Sequence, residues 1–329
     1  MPQLNKTSLG SNPAGKASGS KAVARGRKGR RTGFIIASVV ITLILIIVGV
    51  SLYLNAAPFR RIIITVDNIS INMDYFLMKT RLAGADPMEM LEVLTNELLI
   101  KIEAPRYVAE ASPEDIDQEL RRIASGESET ISDSEFKEWY RQLLNEIDLS
   151  DSEYKEMVAT GLLAARLQEY LAERVPTVAE QVHLHAVLLS TEEAAEIWAE
   201  EEDRDKLIAQ VWQEKESEGK VEDLGWLPRG VLPPGFDETV FSLSIGDVSE
   251  PLSYTPPVSD STSTEPQIFY YLLMVSEKAA ARQIDEEPLQ ILQGKALDDW
   301  LLAEIKFHEV GWDFNSEIYA WINWQLTKE

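Results

Sequence analysis

Cysteine is missing from all 329 residues. Its absence removes disulfides, thiolate metal sites, a cysteine nucleophile and a lipidated cysteine anchor, so any attachment to a membrane must come from a protein segment. Histidine is scarce, with three copies, His183, His185 and His308. Acidic residues are missing from positions 1–32, which hold eight Lys/Arg, although the whole chain carries a net charge of −24. The remainder therefore carries −32, more negative than the total by those eight charges. A folded part of that sign repels phosphate backbones and anionic lipid heads, which excludes nucleic acid as its partner. Disorder throughout is excluded as well, because 45% of the residues are apolar and they are spread along the chain.

Charge of either sign is missing from residues 33–54. As a helix these 22 residues span roughly 33 Å, against a hydrocarbon core of about 30 Å, so a transmembrane helix is expected here. The run exceeds the apolar region of a cleaved signal peptide, about 7 to 15 residues, and Asn55-Ala56-Ala57 is a poor cleavage site. The basic block at 25–31 precedes it and only Arg60 and Arg61 follow closely, which places the N-terminus in the cytoplasm and everything after the helix outside. Residues 1–32 read as a disordered basic tail on the cytoplasmic side.

Residues 62–72 alternate β-branched side chains around Asp67-Asn68 and predict a short hairpin. Helix starts follow. Asp86-Pro87 opens one, with Leu91, Leu94, Leu98 and Ile102 on a stripe; Ser112-Pro113 opens another. Ser132-Asp133-Ser134-Glu135 and Ser150-Asp151-Ser152-Glu153 are capping boxes before two more, the second reaching about Glu173 with Leu163, Leu167, Tyr170 and Leu171 on one face and Arg166 outside. Val175-Pro176-Thr177 is a linker. A strand at 182–189 follows, then helices from Thr191 and from about Asp203, a strand at 269–275, and an amphipathic helix at 289–310. Trp312, Phe314, Tyr319, Trp321 and Trp324 crowd the C-terminus, where core packing is expected. His183 and His185 share one strand face, and a structural or solvent-facing role is expected of them. A zinc site needs three or four ligands, and neither a metal nor another cofactor is indicated.

A linked set of motifs runs from Asp223-Leu224-Gly225-Trp226-Leu227-Pro228-Arg229-Gly230 through Pro233-Pro234-Gly235-Phe236 and Val240-Phe241-Ser242-Leu243 to Ile245-Gly246-Asp247-Val248-Ser249-Glu250-Pro251. Phe269-Tyr270-Tyr271-Leu272-Leu273-Met274-Val275 closes it. This string resembles the parvulin (PpiC, rotamase) type of peptidyl-prolyl isomerase over about residues 180–280, with the first motif as a turn. Residues 253–266, rich in Ser, Thr and Pro, stand where that family has a tight connection and read as an inserted, mobile loop. The hairpin, helices and linker resemble the N-terminal chaperone segment of SurA and PrsA type extracytoplasmic folding factors.

Beside the transmembrane helix read from residues 33–54, the resemblance implies an all-α chaperone-like domain with a short β-hairpin and an inserted α+β parvulin-like domain. Its expected boundaries are 58–176 for the helical domain, 177–283 for the parvulin-like domain and 284–329 for C-terminal helices that pack back on the helical domain. It implies a membrane-anchored folding factor that acts on X-Pro bonds of non-native secreted or membrane proteins. Leu232 and Phe236 stand at the proline-gripping positions, with Trp226 and Tyr271 as further substrate-binding candidates. Ala186 and Tyr271 occupy the places of the family's two histidines, so no catalytic residue is assigned. Two alternatives stand beside the isomerase: a catalytically degenerate chaperone that only binds unfolded clients, and a structural subunit of a membrane complex.

Overall fold

The computed structural model describes residues 42, 44–48, 57–126, 130–147, 149–256 and 267–328. The chain divides into two units, Met1–Arg61 and Ile62–Glu329. In the first, residue 42 and residues 44–48 are helical and Pro58–Arg60 forms a 3-10 turn. The rest of the expected membrane helix and the whole basic tail lie outside the described residues. Among the described residues no helix is long and apolar enough to cross a membrane.

The second unit opens with the hairpin, β1 (Ile62–Val66) and β2 (Ile69–Asn72), paired antiparallel. Asp67 makes the reversal at φ 51°, a left-handed conformation that aspartate tolerates better than most side chains. Ile63, Ile64 and Val66 are fully buried. A capped helix series follows: α1 (Met73–Ala83), α2 (Pro87–Glu103), α3 (Pro113–Ser125), α4 (Asp133–Ile147) and α5 (Asp151–Ala172). Asn72 and Asp86 cap α1 and α2, while Ser112 and Ser150 form reciprocal capping boxes at α3 and α5. Leu91, Leu94 and Leu98 of the expected stripe are buried under the hairpin with Phe76 and Met90, and Ile102 is half-buried. Arg166, expected outside, reaches instead across to α3. It pairs with Asp115 at 2.9 Å and donates to the carbonyls of Ala109 and Glu110.

The C-terminal segment departs from the sequence expectation. The helix α9 runs over Glu286–Glu304 rather than 289–310, a 3-10 turn covers Ile305–Phe307, and Val310–Trp312 forms a strand, β7. β7 pairs antiparallel with β1, so the hairpin becomes a three-stranded sheet in the order β2-β1-β7. Val310 and Trp312 are residues that favour strands, and Gly311 between them lies close against Thr65. The last helix, α10 (Ser316–Leu326), buries Ile318 and Ile322. Trp312 and Trp324 are 42% and 53% exposed, so these two are not core residues. The α9 helix is fastened to α5 by Gln168, which donates to the Gln293 carbonyl at 2.6 Å and accepts from the Leu297 N–H at 3.1 Å.

Between α5 and α9 the chain builds a four-stranded antiparallel sheet, order β4-β3-β6-β5. The strands are β3 (Val178–Leu189), β4 (Glu222–Pro228), β5 (Leu252–Tyr254) and β6 (Phe269–Gln283). Both long central strands exceed their expected lengths. The Asp223–Gly225–Trp226 stretch, expected as a turn, lies on β4, and the reversal comes after it. Helices α6 (Thr191–Ala199) and α7 (Arg204–Ser217) cover one face, and α8 (Phe236–Ser242) covers the other. Ser253 and Tyr254, expected in the inserted loop, belong to the edge strand β5; residues 257–266 of that loop lie outside the described residues.

Candidate functional site

Side chains alternate across a strand, so β3 distributes its residues between two different environments. Val182, Leu184 and Ala186 point to the α8 face, where they join Leu273 and Val275 of β6 in one apolar cluster with Leu232, Phe236, Val240 and Phe241. Val187 and Leu189 point the other way, into a cluster with Ala194, Ile197, Ile208 and Trp212.

The loop between β4 and α8 positions Leu232 and Phe236. Gly230, at φ 89°, donates its N–H to Asp237 Oδ2 at 2.7 Å, and Gly235, at φ 86°, precedes the helix in a conformation that suits glycine. The loop is also held from outside by α9. Lys295 donates to the Gly230 carbonyl at 2.7 Å, and a Cβ on residue 230 would sit 3.0 Å from Leu292 Cδ2. With the loop fixed on both sides, Leu232 and Phe236 are 9% and 6% exposed. Tyr271 pairs with Leu188 on one side and Leu252 on the other, and is half-buried against the same cluster. Leu252 and Tyr254 continue this half-open margin toward the sheet edge.

Three of the four expected binding residues therefore come together, Leu232, Phe236 and Tyr271. Trp226 does not. It pairs across the ladder with His183 and so takes the opposite face, its ring 5.4 Å from the His183 ring and the Arg282 guanidinium 5.0 Å from its centroid. Ala186 is 5% exposed within the apolar cluster, so neither Ala186 nor Tyr271 supplies an imidazole there.

His183 and His185 lie on the Trp226 face, away from Leu232, and cannot replace the family's histidines. A bulge in β6 leaves Ser276 unpaired between Glu277 and Val275, and its hydroxyl meets His183 Nδ1 at 2.7 Å and His185 Nε2 at 3.1 Å. Asp223 Oδ1 lies 3.3 Å from His183 Nε2 and 4.0 Å from His185 Nδ1. The three ligand atoms of His183, His185 and Asp223 are close enough to share a metal ion. Asp223 is 59% exposed, which suits a solvent-facing polar patch. Sequence reasoning missed Asp223 and Ser276 as partners of the histidines. The bulge that brings Ser276 inward leaves no mark in the residue pattern.

A cleft of about 470 Å³ lies beside this site, lined among others by Leu171, Val175, Pro228, Arg229, Ile284 and Leu292.

Comparison with known proteins bears on the same stretch. Residues 187–258 match the rotamase family described as the PPIC-type PPIASE domain. The chaperone SurA of Chromobacterium violaceum is 32% identical over 104 residues, 28% of this chain; the match spans 24% of that relative's length, about a quarter of it. Among solved structures, PrsA from Bacillus anthracis, a peptidylprolyl isomerase, is 16% identical, over 73% of this chain and 96% of that one, at a TM-score of 0.29. A structure from Campylobacter jejuni, described with PEB4 and the periplasmic protein Cj1289 as SurA-like chaperones, is 13% identical over 76% and 98%, at 0.26. These scores are too low to establish a common overall shape. The family match marks a parvulin-type domain at residues 187–258, within the stretch from which the resemblance was read, and the SurA relative adds sequence homology to that chaperone.

Proposed function

We propose that this chain is a membrane-tethered, extracytoplasmic protein-folding factor whose parvulin-like domain, 177–283, receives X-Pro segments of non-native polypeptides. The helical domain at 58–176, with residues 284–329, holds the unfolded client near it. The observation that carries the reading is the convergence of Leu232, Phe236 and Tyr271 on one apolar sheet face inside the stretch that matches the rotamase family. The charge-free run at 33–54 and its basic flank support the tether.

Prolyl isomerisation suits such a face. The barrier is about 20 kcal/mol because the twisted amide loses its resonance, and no proton need move. A dry apolar surface that grips the ring and favours the less polar twisted amide lowers that barrier. The half-buried margin formed by Tyr271, Leu252 and Tyr254 is where an extended chain would reach the face, with Leu232 and Phe236 buried behind it.

A second reading, binding without catalysis, draws on two observations. Ala186 and Tyr271 leave the face without histidine, and Leu232 and Phe236 are 9% and 6% exposed. One experiment separates them. The full chain in detergent is added to a substrate whose refolding is limited by a proline bond, and aggregation of a second, unfolded client is followed in parallel. Acceleration that disappears in Phe236→Ala, with circular dichroism unchanged, supports isomerisation. Suppressed aggregation without acceleration leaves binding alone, and neither effect sinks the foldase reading.

A further inference from the structure

The C-terminal segment returns to the helical half through a polar cluster that plays no part in the site above. The His308 side chain, just after the 3-10 turn, is 7% exposed. Its Nδ1 lies 2.7 Å from Asp67 Oδ2 in the hairpin turn. Its Nε2 is buried with no hydrogen-bond partner. That nitrogen faces two carboxylates, Glu103 Oε1 at 3.7 Å and Glu304 Oε1 at 3.8 Å, whose side chains are 2% and 17% exposed.

These separations are too long for hydrogen bonds and too short for a bridging water, which would hold its partners about 4.5 Å apart. They match another arrangement more closely. Tetrahedral ligands bound at about 2.0–2.2 Å stand roughly 3.4 Å from one another, so each carboxylate oxygen needs to approach Nε2 by only a few tenths of an ångström, and the three ligand atoms all lie within 4.8 Å of one another. We propose that Glu103, Glu304 and His308 form the binding site of a single divalent transition cation of the zinc class, with Asp67 as the outer partner that orients the imidazole.

Each neighbour fits that assignment. Asp67 accepts from the Glu309 N–H through Oδ1 at 2.9 Å, which fixes Oδ2 on His308 Nδ1. Nδ1 then carries the proton and Nε2 offers its lone pair, the relation that metal-bound histidines usually have with a carboxylate. Arg106 pairs with Glu103 through Oε2, which leaves Oε1 turned toward His308. Glu103 and Glu304 are each the last residue of a helix, where the macrodipole is negative and a carboxylate is out of place without a cation. Three carboxylates against one guanidinium leave the charge that a dication cancels. The mix of one imidazole and two carboxylates suits zinc; calcium and magnesium take six or more oxygens. The ligands join α2 to the segment after α9, so the ion ties together parts of the chain separated by the whole inserted domain.

The test uses the full chain in detergent, stripped with chelator and dialysed against buffered free Zn2+, in a His183→Gln/His185→Gln background that removes the other imidazole pair. Bound zinc per chain and the thermal midpoint are measured together. The site predicts one zinc per chain and a midpoint that rises with zinc and not with Ca2+. Glu304→Gln weakens binding tenfold or more, and Asp67→Asn by about ten- to a hundredfold. Because His308 variants risk misfolding, the partly exposed Glu304 carries the decision. No zinc retained by the parent protein, or uptake and midpoint that Glu304→Gln leaves unchanged, overturns the assignment.

Discussion

Alanine at position 311 tests whether β7 docks as tightly as its geometry states. A Cβ there would lie 2.7 Å from Thr65 Oγ1, inside the range that real contacts avoid. The backbone of Gly311 is not in the left-handed region, so the strain comes from that contact alone. Relief requires Thr65 to leave its rotamer, which costs about 0.5–1.5 kcal/mol. It also breaks the hydrogen bond from Thr65 Oγ1 to the Gly311 carbonyl, 3.2 Å long and worth about 1 kcal/mol. The alanine stiffens the unfolded chain and returns about 0.4–1 kcal/mol. The net loss is about 0.5–2 kcal/mol, or roughly 1–8 °C in the thermal midpoint of a unit this size. Calorimetry on Gly311→Ala, Thr65→Ala and the double variant forms a cycle that isolates the contact. The alanine should cost less once Thr65 is truncated. An equal loss in both backgrounds refutes the steric argument, and a raised midpoint refutes the tight docking of β7.

Further outcomes follow from the same contacts. Asp115 is held at about 2, below its ordinary 3.8, first by the Arg166 guanidinium and then by the Ser112 N–H and hydroxyl. A depressed folded value means the contribution is complete above about pH 4 and fades as pH falls toward 2, so an acid series should show Asp115→Asn less stable than the parent at pH 7 and equal to it near pH 2. Gln168→Ala removes the two hydrogen bonds that Gln168 makes from α5 to α9 and should lower stability by about 1–3 kcal/mol in denaturant unfolding. His183→Gln/His185→Gln should leave client binding and any isomerase rate unchanged, since both rings sit on the sheet face opposite Phe236; a loss of rate would move the site to that face. Lys295→Met frees the Gly230 carbonyl from α9 and should speed proteolytic cleavage within 229–235, read by mass spectrometry.

Local signals were well written in the sequence. Ser112 and Ser150 cap the helices they were expected to start, because capping chemistry is decided by residues three apart. The alternation of Val182, Leu184 and Ala186 with His183 and His185 set the two faces of β3, and the motif spacing brought Leu232, Phe236 and Tyr271 together. What stayed hidden depends on partners far along the chain. Val310 looked like the end of a helix and Trp312 like a packed aromatic, because the pairing of Val310–Trp312 with β1 has no local signature. Trp226 looked like a neighbour of Phe236 because both stand in one motif, although strand alternation turns it away. The neighbours of His308, Glu103 and Asp67, come from the other end of the fold, so nothing near it in the sequence marks the cluster.

The same distinction governs how open the candidate site is. The residue types at 232 and 236 follow from the motif, but their exposure is set by α9, whose Leu292 and Lys295 press on Gly230 from outside while Asp237 holds it from within. A loop pinned at one residue by two elements moves only when one of them yields. Asp237 belongs to the helix beneath the loop, and its partner Gly230 sits at φ 89°, a conformation other residues resist, so the inner hold is built into the motif. The outer hold is a single lysine and a leucine contact on a helix fastened to α5 by Gln168. The outer hold passes through the helical domain. On the proposed reading, the exposure of Leu232 and Phe236 would therefore depend on how α9 packs on α5.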